Sequence, residues 1–278
     1  MPRSSPKFIW HKSATTAWLR EHELALHQAT NGTHSLIERP HVARIRIECF
    51  CPNFANAREL KKSFGGSLRE LPEDFQAQWF RAHRTKPLRI GNRLTIVSEG
   101  RGPDPATLVI PASAAFGTGA HATTAMSLRL LERATRSNTS GWRMLDAGTG
   151  SGILALAARR FGAREVLALD HDPQAIKIAK WNARENGLRG VKFLVADVSR
   201  GLAGRFEIIA ANLYSELLRQ VLPQFRAHLV PEGWLILSGV LRSQEKALVQ
   251  ELRRAGFEIA EIRRRGKWIA LRAGQKRG

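Results

Sequence analysis

One run of the chain, Asp146-Ala147-Gly148-Thr149-Gly150-Ser151-Gly152, alternates glycines with small residues directly behind an acid. Glycines there have no Cβ to hold a ligand off the backbone, and a helix starting behind them offers N–H groups to an anion. A dinucleotide fingerprint would place the third glycine one residue later. Asp170, in Ala168-Leu169-Asp170-His171-Asp172-Pro173, falls after the next strand, where an acid can accept both hydroxyls of a ribose; Asp172 before Pro173 reads as a helix cap. Asp197, closing Val195-Ala196-Asp197, either accepts from an adenine amino group or is a turn acid. Asn212, in Ala210-Ala211-Asn212-Leu213-Tyr214, carries an amide that can accept from an amine and donate to a bound group without adding charge. Upstream, Phe116-Gly117-Thr118-Gly119-Ala120-His121-Ala122-Thr123-Thr124 is a loop with two glycines and several hydroxyls ahead of a helical run, able to fold over a ligand. His121 is either a proton acceptor or a loop histidine bonded locally. Trp268, in Gly266-Lys267-Trp268, either walls an acceptor site or packs a terminal strand.

These residues need a scaffold that places strand ends side by side. From Trp142 onward, short apolar runs at 144–145, 166–169, 191–195, 208–211 and 234–237 alternate with helical stretches near 153–161, 173–186, 214–228 and 242–255. Strands alternating with helices imply crossover units and a mostly parallel sheet, which binds ligands at the carboxyl ends of its strands. Ahead of it, residues 13–28 read as a helix, 43–49 as a strand with one buried face, and Asn53 as the cap of a short helix ending near Gly65-Gly66. The boundaries expected are a small α+β domain over 1–66, a connector over 67–87 and the ligand-binding α/β domain over 88–278. The last opens with a hairpin at 88–97 turning at Gly91-Asn92.

Composition narrows the class. The 278 residues are 43% hydrophobic and carry a formal net charge of +20, which favours acidic or phosphate-coated partners, RNA above all. Cys49 and Cys51 fit no zinc or redox spacing and read as reduced apolar packers, so no metal site and a cytoplasmic location are expected. No apolar run approaches the roughly 20 residues that span a bilayer. The first twenty residues lack acids, as transit peptides do, but Pro2 and Pro6 oppose an amphipathic helix.

Asp-x-Gly-x-Gly-x-Gly resembles the turn of class I methyltransferases that use S-adenosylmethionine (SAM), whose carboxylate would be the anion. Phe-Gly-Thr-Gly-x-His-x-Thr-Thr, that turn, and Ala211-Asn212-Leu213 together resemble PrmA, the methyltransferase family of ribosomal protein L-eleven. The likeness runs from Phe75 to Trp268 and includes Trp79, Pro87-Leu88-Arg89-Ile90-Gly91 and Leu237-Ser238-Gly239-Val240-Leu241. It implies a doubly wound, mostly parallel seven-stranded sheet with a small N-terminal α+β domain that holds the substrate. It implies SAM contacts at Thr124, Gly148, Asp170 and Asn212; the same site takes in Phe116, Gly117, Asp146, Gly150, Gly152 and Asp197. Asn212 and His121 are the expected catalytic residues and Trp268 the substrate contact. The reaction implied is repeated methylation of lysine side chains and the N-terminal amine of ribosomal protein L-eleven, by a monomer, with ribosomal RNA as a further contact.

Departures are few: Ala122 stands where the family usually has Pro, and Thr149 where Cys or a similar small residue is usual. Leu213 and Tyr214 replace the prolines and aromatic typical of enzymes that methylate base amines. Three rivals remain: an RNA methyltransferase, a lysine methyltransferase of another protein such as an electron-transfer flavoprotein subunit, and a silent RNA-binding module. Neither cysteine lies in the α/β domain, which excludes cysteine-dependent attack on a pyrimidine carbon there. The module predicts no cofactor binding.

Overall fold

The computed structural model describes residues 7–30, 34–37, 43–72, 86–99, 104–111, 121–136 and 141–276. They fall into two compact units, Met1–Arg84 and Thr85–Gly278.

In the first unit, β1 (Phe8–Thr15), α1 (Thr16–Thr30), β2 (Ser35–Ile37), β3 (Arg44–Cys51), α2 (Phe54–Phe64) and β4 (Ser67–Glu70) form an antiparallel sheet of order β2-β3-β1-β4 with two helices. Trp10, Ile47, Leu60 and both cysteines fill its core. Contact with Cys49, then burial, push the Cys51 thiol up, so this thiol is not primed for reaction; both cysteines are buried and free. Asn53 caps α2 by accepting the Asn56 N–H at 2.9 Å, and Gly65 closes the helix, as read from sequence. Two readings change. The helix starts at Thr16, because Phe8–Thr15 pairs along its length with β3. Ser67–Glu70, expected to begin a connector, is an edge strand that sets Leu68 opposite Trp10.

The second unit begins with β5 (Leu88–Ile90) and β6 (Leu94–Val97), the expected antiparallel pair, and adds β7 (Thr107–Val109) parallel to β6. α3 (Ala122–Ala134) follows. The main sheet is built from β8 (Arg143–Ala147), α4 (Ile153–Arg160), β9 (Glu165–Asp170), α5 (Pro173–Glu185), β10 (Val191–Val195), β11 (Phe206–Asn212), α6 (Ser215–His228), β12 (Leu229–Leu241), α7 (Glu245–Arg254), β13 (Phe257–Arg265) and β14 (Trp268–Gln275). Its order is β10-β9-β8-β11-β12-β14-β13, with β14 antiparallel to both neighbours and the remaining pairs parallel. Ile208 to Ala211 of the central strand are fully enclosed, because alternate residues face two cores: one under α3, α4 and α5, the other under α6 and α7. The chain winds outward from β8 through β10, then returns to β11. The crevice between the carboxyl ends of β8 and β11 is therefore the switch point where such sheets bind ligands.

Candidate active site

The glycine turn follows β8 directly, with Gly148, Gly150 and Gly152 all at positive φ. A Cβ at Gly152 would lie 3.0 Å from Ala179 Cβ, so this glycine lets α4 pack against α5. The turn does not present the open row of amides expected for an anion. Gly148 and Thr149 donate to Leu169 O at 2.9 and 2.8 Å, Gly150 donates to Asp170 Oδ2 at 2.9 Å, and Gly152 donates to Thr149 O. The turn is laced to β9 because buried backbone groups must be paired.

Two carboxylates organise it. Asp146 is fully buried; its Oδ2 accepts from Thr149 Oγ1 at 2.6 Å and from the Ala155 N–H at 3.1 Å. Burial raises its pKa to about 7 against the lowering by these two bonds. Asp170, at the end of β9, accepts from Gly150 N–H on Oδ2 and from Asp172 N–H, at 3.0 Å, on Oδ1. Asp172 caps α5 ahead of Pro173. Asp197 is exposed and caps a short 3-10 turn, its Oδ1 accepting from the N–H and hydroxyl of Ser199 while Oδ2 lies 3.4 Å from Arg200. These contacts hold its pKa down, Ser199 most strongly, and they are the turn-acid alternative left open above.

A pocket of about 270 Å³ opens at the end of β11. Asn212, Leu213 and Tyr214 form one side, His121 and Thr123 the second, Gly239 and Trp268 the third. Leu213 donates to Ser238 O at 3.1 Å, bringing its own carbonyl so close to β12 that a Cβ at Gly239 would sit 2.4 Å from it. With φ at +88°, position 239 excludes other residues on both counts. Trp268, half-buried against the core, also lines the pocket and meets the His121 ring edge-on at 5.2 Å between centroids.

His121 caps α3, its Nδ1 accepting from the Thr123 N–H at 3.4 Å and lying 2.7 Å from Thr123 Oγ1. Burial, and then Lys267, lower its pKa, so the ring is neutral near pH 7. A neutral imidazole that accepts on Nδ1 carries its proton on Nε2. Through Nδ1, His121 bonds locally to Thr123, as one of its two readings expects.

Several polar atoms around this strand end are buried without a partner: Thr124 Oγ1, Asp146 Oδ1, Asn212 Oδ1 and Ser215 Oγ. An unpaired buried polar group costs about 1–3 kcal/mol, so four in one region mark a place built for something else to complete. Phe116 and Gly117 lie outside the described residues. His121, Asn212 and Trp268 meet in the pocket; Asp146, Gly150 and Asp170 form a second group on the turn. Gly148 links the two, since a Cβ there would stand 2.5 Å from Leu213 Cδ2. Thr123, Tyr214 and Gly239 line the pocket but were not named as site residues from sequence. Their signal was adjacency to a motif, beside Thr124, after Asn212 and inside Leu237-Ser238-Gly239. Among the described residues no cluster of His, Cys, Asp or Glu could hold a metal ion.

Residues 46–276 match the model of the family described as ribosomal protein L11 methyltransferase (PrmA). The chain belongs to that family. Among its relatives, the ribosomal protein L11 methyltransferase of Pelobacter propionicus is 40% identical over 210 residues, covering 72% of this chain and 66% of that protein. The one from Pelotomaculum thermopropionicum is 37% identical over 209 residues, covering 73% and 66%. The chain thus spans just under two thirds of the length of these curated relatives. The crystal structure of ribosomal protein L11 methylase from Lactobacillus delbrueckii subsp. bulgaricus superposes with a TM-score of 0.63 at 31% identity, covering 69% of this chain and all of that one. The family match takes in both the glycine turn and the pocket, and the fold is that of class I SAM-dependent methyltransferases.

Proposed function

We propose that the chain transfers methyl groups from SAM to amino groups of ribosomal protein L-eleven, namely lysine side chains and the N-terminal amine. The observation that carries this reading is family membership over residues 46–276, which contain every described site residue. The site fits SAM. Each Asp170 oxygen accepts one backbone N–H and keeps a lone pair for a ribose hydroxyl. Thr124 Oγ1 supplies an unpaired polar group, the Asn212 amide an N–H donor, and the turn at 148–150 a backbone wall. Asp197 is assigned to the rim, where an adenine amino group would share Oδ2 with Arg200. Phe116 and Gly117 complete the assignment by motif alone.

When bound, SAM supplies a methyl group on a cationic sulfur, so the protein needs neither a metal nor a covalent nucleophile. What the chain must do is hold an uncharged amine in line and keep water away. Asn212 Oδ1 accepts from that amine and fixes its direction. Trp268, Tyr214 and the His121 ring wall it off. Burial in the pocket and the Lys267 charge favour the neutral amine over the ammonium. Asn212 is therefore the positioning residue.

The N-terminal unit is assigned to substrate recognition. Contact with ribosomal RNA is assigned to a groove of about 650 Å³ lined by Arg242, Lys246, Arg253 and Arg264, where one acid, Glu245, pairs with Arg264. We place the protein in the cytoplasm as a monomer; no helix among the described residues is long and apolar enough to cross a membrane. Incubating purified ribosomal protein L-eleven with SAM and the enzyme, then mapping modified amines by mass spectrometry, tests the proposal. Methylated lysine and N-terminal amines are expected; an unmodified protein would refute it.

A further inference from the structure

Beside the acceptor pocket the second unit gathers guanidiniums in excess of carboxylates. Glu261 on β13 holds Arg133 at 2.7 Å and Arg263 at 2.9 Å and lies 3.9 Å from Arg272. Arg129 and Arg265 have no carboxylate partner among the described residues. Residues 261, 263 and 265 point to one face of β13. In register, Arg263 stands opposite Ala270, in the core beneath α3, and Arg265 opposite Trp268, on the pocket wall. Arg129 reaches this face from α3. Its Nη1 donates to Ala125 O at 3.3 Å, folding the half-buried side chain back toward His121 and the pocket. Burial, then Arg263 and Arg265, lower the Arg129 pKa, the signature of a cation recessed among cations.

We infer that Arg129, Arg263 and Arg265 form an anion subsite that takes a carboxylate of the substrate polypeptide lying next to the target amine. This rests on the protein-acceptor reading above. Arg129 and Arg263 are half-buried and Arg265 is exposed on the same side of the sheet, a short cluster that suits a compact planar anion bound by paired N–H donors. A nucleic-acid backbone instead calls for exposed charges strung along a track. The subsite also answers a difficulty of the pocket: cations at its edge favour the neutral amine but repel an incoming lysine, and an acid beside that lysine would offset the repulsion. The enzyme would thus select amines with an acidic neighbour.

The test uses the full-length enzyme and two labelled synthetic peptides, one with a lysine flanked by aspartates and one with asparagines in their place. Binding is read by fluorescence anisotropy, and methylation of ribosomal protein L-eleven is run in parallel. The aspartate peptide is expected to bind about tenfold tighter, the equivalent of roughly one strong charge-assisted contact. In the double variant Arg129→Gln/Arg265→Gln the preference should shrink to less than about twofold, while Arg129→Lys keeps most of it. Thermal melts establish that each variant folds. Equal binding of the two peptides, no binding of either, or a preference that survives in the double variant overturns the subsite while methylation of ribosomal protein L-eleven leaves the parent reading standing. Displacement of the peptide by a short single-stranded RNA, dependent on Arg129, would make it an RNA site. Failure to methylate ribosomal protein L-eleven removes the parent reading and the subsite with it.

Discussion

Replacing Asp170 by Asn keeps the shape of the side chain and removes its charge. In the native protein the carboxylate accepts from Gly150 N–H at 2.9 Å and from Asp172 N–H at 3.0 Å, one on each oxygen. An asparagine oxygen can take one of these; its amide nitrogen then faces the other N–H, donor against donor. A hydrogen bond to a charged group contributes about 1.5–3 kcal/mol, so Asp170→Asn should destabilise the second unit by roughly that amount. The ligand loses as well, because a ribose hydroxyl would meet a donor where it had an acceptor, and the glycine turn is no longer pinned at Gly150. Another 1.5–3 kcal/mol in affinity corresponds to about 10- to 150-fold weaker binding. Denaturant unfolding measures the first quantity. Calorimetric titration with S-adenosylhomocysteine, the demethylated cofactor, measures the second. Lost stability with unchanged affinity would show that Asp170 is only a staple of the turn, and no change in either would refute the reasoning altogether.

Asn212→Ala should lower turnover by about two orders of magnitude while shifting cofactor affinity little, because the amide orients the amine; steady-state kinetics beside calorimetry checks this, and the opposite split would make Asn212 a cofactor ligand alone. Gly239→Ala forces a Cβ to within 2.4 Å of Leu213 O at a φ of +88°, so unfolding experiments should show a loss of about 2–3 kcal/mol and the pocket should deform. Asp146 has a folded pKa near 7 against 3.8 ordinarily. The folded state thus binds more protons than the unfolded one between those values, and stability falls as pH rises from about 4 to 7. Asp146→Asn, whose oxygen can still accept from Thr149 and Ala155, should flatten that slope and raise the melting temperature at pH 8.

What the sequence displayed and what it concealed divide by range. The glycine turn, the Asn53 and Asp172 caps and the Gly91 hairpin are set by residues a few positions apart, and all read correctly. Phe8–Thr15 did not, because His11, Lys12 and Ser13 blur the alternation and its partner lies at Arg44–Cys51. The carboxyl-end crevice followed from strand–helix alternation. The placement of β14 between β12 and β13 did not, and it is this that carries Trp268 to His121. The fate of the turn amides was equally hidden. Their glycines suggest an open anion nest, yet Leu169 and Asp170 already take three of them. For His121 the sequence held both roles open, and the structure adds its local bonding to Thr123.

The central claim is that the methyl group goes to a protein amine. Its most direct test is transfer from radiolabelled SAM to purified ribosomal protein L-eleven, run beside protein-free ribosomal RNA and intact ribosomes. The account predicts label on the protein, alone or within the ribosome, and none on the free RNA. Label on RNA only would leave the fold and the cofactor in place and contradict the assignment of the substrate.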